Sequence, residues 1–231
     1  MAHKLSQLFD QVVAIARLPV VRLQFRLDLN PEEIARTYRY FTKPHPKYKI
    51  FQNKSVGAAL VDLTRFRDRD EYLKTIKGHN SADQHARKAR SKGYVVVEID
   101  RNDFVEDIYD INTSVQVRQG RPMALDYLDK KTSYRSDANF TYYGVLNSAG
   151  KLRAYCDLGF YGNFASFSRV LGVRNNDGVM HLMATEIVGR LIEARVYHYL
   201  MYDTYFGASP GLKMFKTMVG FEPYRVKYSI I

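Results

Sequence analysis

The sequence has no tryptophan, one cysteine, no long apolar run and too few carboxylates for its cations. The single cysteine, Cys156, excludes an intrachain disulfide and fits a reducing compartment. It also excludes the zinc motifs built on spaced cysteines and histidines, so no metal site is expected. No apolar stretch approaches the roughly 18 residues of a membrane span. The first residues, Met-Ala-His-Lys-Leu, lead into a mixed segment broken by Asp10, Arg17 and Pro19, without the apolar block and small-residue cleavage site of a signal peptide. A cytoplasmic protein is expected. Internal repeats, low-complexity tracts and Pro/Gly/Ser-rich linkers are absent as well, so no domain boundary suggests itself.

The 231 residues are 46% hydrophobic and 26% charged, the balance of a globular chain with a sizeable core. Tyrosine and phenylalanine supply the aromatic content, 18 and 13 residues. Lys and Arg outnumber Asp and Glu by 35 to 24, a formal charge of +11, which favours an anionic partner: nucleic acid, a phosphorylated cofactor or an anionic membrane surface.

Periodicity gives an α+β order. Apolar residues at helical spacing predict a helix over 4–17, and alternation predicts a strand over Val20–Leu27. Asn30-Pro31-Glu32-Glu33 reads as a helix start, with Asn30 as N-cap and a stop before Pro44 and Pro46. Residues 56–64 read as a buried strand, 65–77 as a charged helical stretch and 94–100 as a strand. Between the last two lies a capped helix from Asn80-Ser81-Ala82-Asp83 to Gly93. Helices follow over 104–114 and 123–130, then a hairpin over 141–146 and 152–158 and a strand over 164–173. Helix 179–193, strand 196–202, helix 211–219 and strand 221–230 complete the chain. Paired strands alternating with helices imply a mixed central sheet flanked by helices rather than a doubly wound one.

Several residues are candidates for chemistry. Lys74, Lys77, Arg87, Lys88, Arg90 and Lys92 form the densest basic run. On a helix Arg87 and Arg90 share a face, as do Lys88 and Lys92, so a phosphate backbone could lie along them; a solvated helix face explains them equally well. Arg118 and Arg121 flank Gly120 in a loop-like setting, where guanidinium forks suit phosphate. Asp203 closes a strand, as an orienting or proton-accepting carboxylate for an attacking amine or as a cap. His181, His198 and Cys156 lie on separate elements and are read as core or surface residues. The tyrosines and phenylalanines between 140 and 167 read as sheet packing, with any exposed ones free to stack on bases.

The last third of the chain carries Tyr202-Asp203, Gly207 with Gly211-Leu212, Phe215-Lys216 and Gly220-Phe221 in helix–strand–helix order. Before it come HARKARSKG, the strand YVVVEID, and an Arg (Arg118 or Arg121) ahead of Tyr127. Over roughly residues 80–225 this resembles the FemAB-type aminoacyltransferases of the GNAT superfamily. The resemblance implies a GNAT-like α+β fold and transfer of an acyl or aminoacyl group to an amine acceptor. It implies aminoacyl-tRNA as donor, or acyl-CoA, and no tightly bound cofactor. Lys216 would then face the oxyanion of the tetrahedral intermediate, with Phe215 packing or stacking near the acceptor end of a tRNA. Pattern alone reads Phe215 as core and Lys216 as a solvated helix charge.

The family's members usually carry two GNAT-like halves. This chain has room for one, read as a single domain over 1–231, with 1–79 a degraded second copy or an N-terminal extension. It also departs from the Q/R-x-x-G-x-G/A loop by which acyl-CoA GNAT proteins hold pyrophosphate. The corresponding stretch is Arg174-Asn175-Asn176-Asp177-Gly178-Val179, whose glycine comes a residue late and whose Asp177 repels phosphate. Two other readings stay open: a catalytically inert GNAT-like module that binds tRNA or another nucleic acid, and an acyl-CoA-dependent N-acyltransferase of a small amine.

Overall fold

A computed structural model describes residues 15–118 and 120–231. The helix expected over 4–17 lies outside the described residues except for Ile15 and Ala16, which are helical. Ten strands and seven helices follow among the described residues. The strands are β1 Val20–Phe25, β2 Val56–Asp62, β3 Val95–Glu98, β4 Val117–Arg118, β5 Arg121–Pro122, β6 Phe140–Leu146, β7 Leu152–Phe160, β8 Phe164–Gly172, β9 Tyr199–Thr204 and β10 Glu222–Ile230. The helices are α1 Pro31–Thr42, α2 Arg69–Thr75, α3 Ala82–Ser91, α4 Val105–Thr113, α5 Leu125–Leu128, α6 Val179–Ala194 and α7 Pro210–Val219.

Eight strands form one sheet in the order β1-β10-β2-β9-β8-β7-β6-β3, while β4 and β5 make a separate ribbon of two residues each. The β1–β10 and β8–β9 pairs are parallel and the others antiparallel. This is the mixed α+β sheet read from the sequence, and the first 79 residues supply two of its strands. The sequence VGAALVD of β2 buries its five central residues because β9 and β10 flank it within the sheet.

Local chemistry sets the helix starts. The Asn30 side chain accepts the Glu33 N–H at 3.5 Å, with Pro31 at the first helical position. Ser81, rather than Asn80, caps α3 through the Gln84 N–H at 3.2 Å, and Asn80 sits ahead of it with a left-handed φ of 52°. Ser209 caps α7 in the same way through Leu212. The charged stretch expected over 65–77 is two pieces. A 3-10 turn at Leu63–Arg65 precedes α2, which starts only where Asp68 accepts the Glu71 N–H at 2.8 Å. The strand expected from Val196 begins at Tyr199, because Arg195 ends α6 at φ 54° and His198 still turns the chain onto Asn163.

Helices α2, α3, α6 and α7 cover one face of the sheet over the largest core cluster. Leu182, Met183, Ile187, Val188, Leu191 and Ile192 of α6 are all buried there. Each such side chain contributes about 1.5–3 kcal/mol on burial, so α6 anchors this layer. Ala82, Ala86 and Ala89 let α3 approach α6 closely; a Cβ on Gly178, at the head of α6, would fall 2.2 Å from the His85 carbonyl oxygen. Helix α1 seals a second cluster through Ile34 and Phe41, and α4 a third through Ile108 and Ile111.

Candidate functional site

The parallel strands β8 and β9 pair over three residues only, from Phe164 with Tyr199 to Ser166 with Met201. Beyond that point β8 stays with β7 as far as Gly172, and β9 stays with β2 as far as Thr204. The two strands diverge, and side chains rather than backbone bonds occupy the wedge. Phe167 of β8 meets Tyr202 of β9 edge to face, with ring centres 5.3 Å apart.

Lys216 projects into this wedge from the last turn of α7. It is 1% exposed, so the pattern-only reading of a solvated charge does not hold. Its Nζ donates to the Thr204 carbonyl at 2.8 Å and lies 4.7 Å from the centre of the Tyr202 ring. Burial pulls the ammonium pKa down to about 8; nearby Asp203 works against that shift and nearby Lys54 adds to it. Asp203 closes β9 at a left-handed φ of 52°, and its half-exposed carboxylate takes an ion pair from Lys54. Phe215, half-buried, lies 4.9 Å from His181 and 6.4 Å from Tyr202 between ring centres.

The wedge therefore gathers Lys216, Phe215 and Asp203 around Tyr202. His181 adjoins it, stacked 4.6 Å from His85; burial, followed by the charge of His85, brings its pKa down to about 4, and its buried Nε2 has no hydrogen-bond partner. Cys156 lies wholly buried in β7, its thiol pKa pushed up by burial, and no hydrogen bond links it to either histidine.

A second group collects at the end of β8. Arg118 donates to the Gly172 carbonyl at 3.1 Å, and its pKa is lowered first by burial and then by the charge of Arg174. Arg174 is exposed on the loop after β8, and Arg121 is exposed opposite Arg118 in the β4–β5 ribbon. The residues of α3 stand apart from both groups and have partners within the protein. Arg87 pairs with Asp83 at 3.0 Å, Arg90 with Glu186 at 3.1 Å and Lys92 with Asp177, and Lys88 donates to the Asn176 carbonyl at 2.7 Å. Asp177 thus lies between Lys92 and Tyr94, whose bonds hold its carboxyl below the usual range.

Sequence reasoning missed Lys54, which lies 149 positions from Asp203 and has no local signal. It also missed a buried ion pair on the opposite face, Arg101 with Asp157 at 2.8 Å, in which the guanidinium lies 3.8 Å from the centre of the Tyr142 ring. Among the described residues no group of three His, Cys, Asp or Glu is placed to hold a metal ion. Nor is any described helix long and apolar enough to cross a membrane.

This geometry defines a class before any comparison: a mixed sheet opened between two parallel central strands, with a buried cation at the opening. The chain matches no known family model and no curated protein. Among solved structures it is similar to FemX, with a TM-score of 0.56 and 11% identity over 73% of this chain and 59% of that one. Two others are the C-terminal domain of a putative lysylphosphatidylglycerol synthetase from Agrobacterium fabrum and a tandem GNAT protein from the clavulanic acid biosynthesis pathway. Their TM-scores are 0.48 and 0.47 and their identities 16% and 15%; the matches cover 72% and 73% of this chain but only 57% and 50% of those. The chain thus spans less than two thirds of the length of each. The likeness to FemX is one of fold, the mixed α+β sheet flanked by helices.

Proposed function

We propose that the protein is a transferase that moves an acyl or aminoacyl group onto an amine, with Lys216 as the cation at the transfer site. The observation that carries this reading is the state of Lys216. It is buried at the opening of the sheet, holds one carbonyl and one ring face, and has no carboxylate in contact. With a pKa near 8 it stays largely protonated at neutral pH, and two of its three N–H donors remain for a developing oxyanion. Asp203 then takes the proton of the attacking amine or orients that amine, its carboxylate steadied by Lys54. Phe215 packs beside the transferred group, and Arg118, Arg121 and Arg174 face the phosphates of the donor. The resemblance to FemAB-type enzymes favours aminoacyl-tRNA as donor over acyl-CoA. The same reading takes residues 1–231 as one domain, since β1 and β2 hydrogen-bond to strands near the other end of the chain.

The test is transfer from a pool of labelled aminoacyl-tRNAs and, in parallel, from acetyl-CoA, to a panel of amines. Lys216→Met is expected to lower kcat by about 10²–10³, the cost of removing one oxyanion donor, with donor binding little changed. Turnover by Lys216→Met equal to that of the native protein would sink the reading. Stabilisation by acetyl-CoA alone would move the donor site to Arg174 and the loop before α6. RNA binding without transfer from either donor would leave the inert binding module.

A further inference from the structure

Between Glu33 and Asp62 the chain carries six Lys or Arg residues and no carboxylate. Most of them lie on the connection from α1 to β2. Among the described residues, Arg39, Lys43, Lys47 and Lys49 form no salt bridge, whereas Lys54 at the foot of the loop pairs with Asp203. Aromatic rings stand between these cations. His45 and Tyr48 stack at 5.4 Å with planes 25° apart, and Tyr48 and Phe51 at 5.7 Å and 29°. Lys47 lies 5.1 Å from the centre of the Tyr48 ring and Lys43 4.7 Å from that of Tyr40. Both tyrosine rings are open, Tyr48 being 49% and Tyr40 47% exposed.

The loop is built rather than loose. Buried Asn53 donates from its side chain to the Tyr40 carbonyl at 3.1 Å and from its backbone to the Lys43 carbonyl at 2.8 Å. His45 bonds the Phe51 carbonyl at 2.9 Å, and its Nδ1 accepts the Lys47 and Tyr48 N–H groups. Within the protein Lys43 and Lys47 gain only the ring contacts, weak at an exposed site, and no carboxylate. A partner with flat faces and regularly spaced negative charge gains more, and single-stranded nucleic acid has both. An anionic membrane would use the lysines but calls for aliphatic depth. Besides the rings of Pro44 and Pro46, the exposed aliphatic side chain between Lys43 and Lys54 is that of Ile50, 94% exposed.

We propose that this loop binds single-stranded nucleic acid, with bases stacking on Tyr48 and Tyr40 and phosphates lying against Lys43, Lys47 and Lys49. The Lys54–Asp203 contact ties the foot of the loop to the end of β9, next to the Thr204 carbonyl that Lys216 holds, so a strand held here would run toward Lys216. Only this last step, delivery of the strand's end, rests on the transferase reading.

The experiment is fluorescence anisotropy of the full chain with a short labelled single-stranded RNA, the matching DNA and the RNA duplex. Sedimentation with phosphatidylcholine vesicles, with and without phosphatidylserine, runs beside it. Single strands are expected to bind more tightly than duplex. Tyr48→Ala should weaken binding about tenfold, the worth of one base stack, while Tyr48→Phe retains it. Lys47→Ala with Lys49→Ala should flatten the log–log salt dependence by about 0.7 per lysine. RNA affinity unchanged in Tyr48→Ala, or association with phosphatidylserine vesicles and not with RNA, overturns the proposal. If Lys216→Met keeps native transfer activity while the loop variants lose RNA, the transferase reading fails and the loop stands. If transfer needs Lys216 but the loop variants bind RNA normally, the reverse holds.

Discussion

Helix α3 and the loop after α1 are both rich in lysine and arginine, yet their charges have opposite fates. On α3 a carboxylate waits for nearly every cation: Asp83 for Arg87, Asp177 for Lys92, and Glu186 for Arg90. Glu186 also takes Arg69 and Arg190, so one side chain of α6 gathers guanidiniums from three helices. Its burial would raise its pKa, but the bonds from Arg69 and Arg90 outweigh that and hold it below the usual range. The loop has no such partner for Lys43, Lys47 or Lys49. A formal charge of +11 therefore says little about where a polyanion can bind; the placement of the acids decides it.

The comparison can be broken first at Glu186. Its replacement by alanine leaves Arg69 and Arg90 without a carboxylate on a half-buried face, while Arg190 keeps Glu98, with an expected loss of about 2 kcal/mol, between an exposed and a fully buried ion pair. Urea denaturation measures it, and the same loss should appear in the native protein as acid protonates Glu186. A depressed carboxylate contributes stability above its unfolded pKa and loses it as pH falls through the folded one.

Lys216 belongs to neither group, being buried and unpaired. Below pH 8 both folded and unfolded states hold its proton, and the cost of burying the charge is fully present. Between about 8 and the ordinary lysine value of 10.5, the unfolded chain alone keeps the proton, so native stability rises with pH. Lys216→Met should accordingly be more stable than the native protein at pH 7, by about 1 kcal/mol, with the gap closing by pH 10. A gap that widens with pH contradicts the assignment.

The smallest effect on stability is expected from Lys47→Ala with Lys49→Ala, within about 0.5 kcal/mol. That pair should nonetheless reduce the salt dependence of RNA binding more than Arg87→Ala with Lys88→Ala. Equal slopes for the two pairs would erase the distinction between helix and loop.

Much of the fold was legible because its signals are local. YVVVEID, the hairpin over 140–160 and the apolar face of α6 each announce themselves within a dozen residues, and Asn30 and Pro31 mark a helix start unaided. The GNAT-like resemblance singled out Phe215 and Lys216, which the structure brings to the wedge, but burial of Lys216 depends on how α7 packs on β9. Asp83 stands four residues from Arg87 on α3 itself, but the partners of Lys92 and Arg90, Asp177 and Glu186, lie 85 and 96 positions away, where charge counting along the helix cannot see them. Pro44 and Pro46 mark the end of α1 in the sequence. They do not reveal that His45, Tyr48 and Phe51 stack, because that depends on Asn53 tying the loop to α1.

The place of β2 between β9 and β10 has a consequence for how the chain is made. Strands β3 and β6 to β8 can pair with neighbours that leave the ribosome close together in time, but the strands that flank β1 and β2 in the sheet begin at Tyr199 and Glu222. The apolar run of β2 thus waits through the synthesis of more than half the protein without a strand beside it. A circular permutant that carries residues 20–62 behind Ile231 would turn that wait into an immediate pairing, and should reach the native sheet faster.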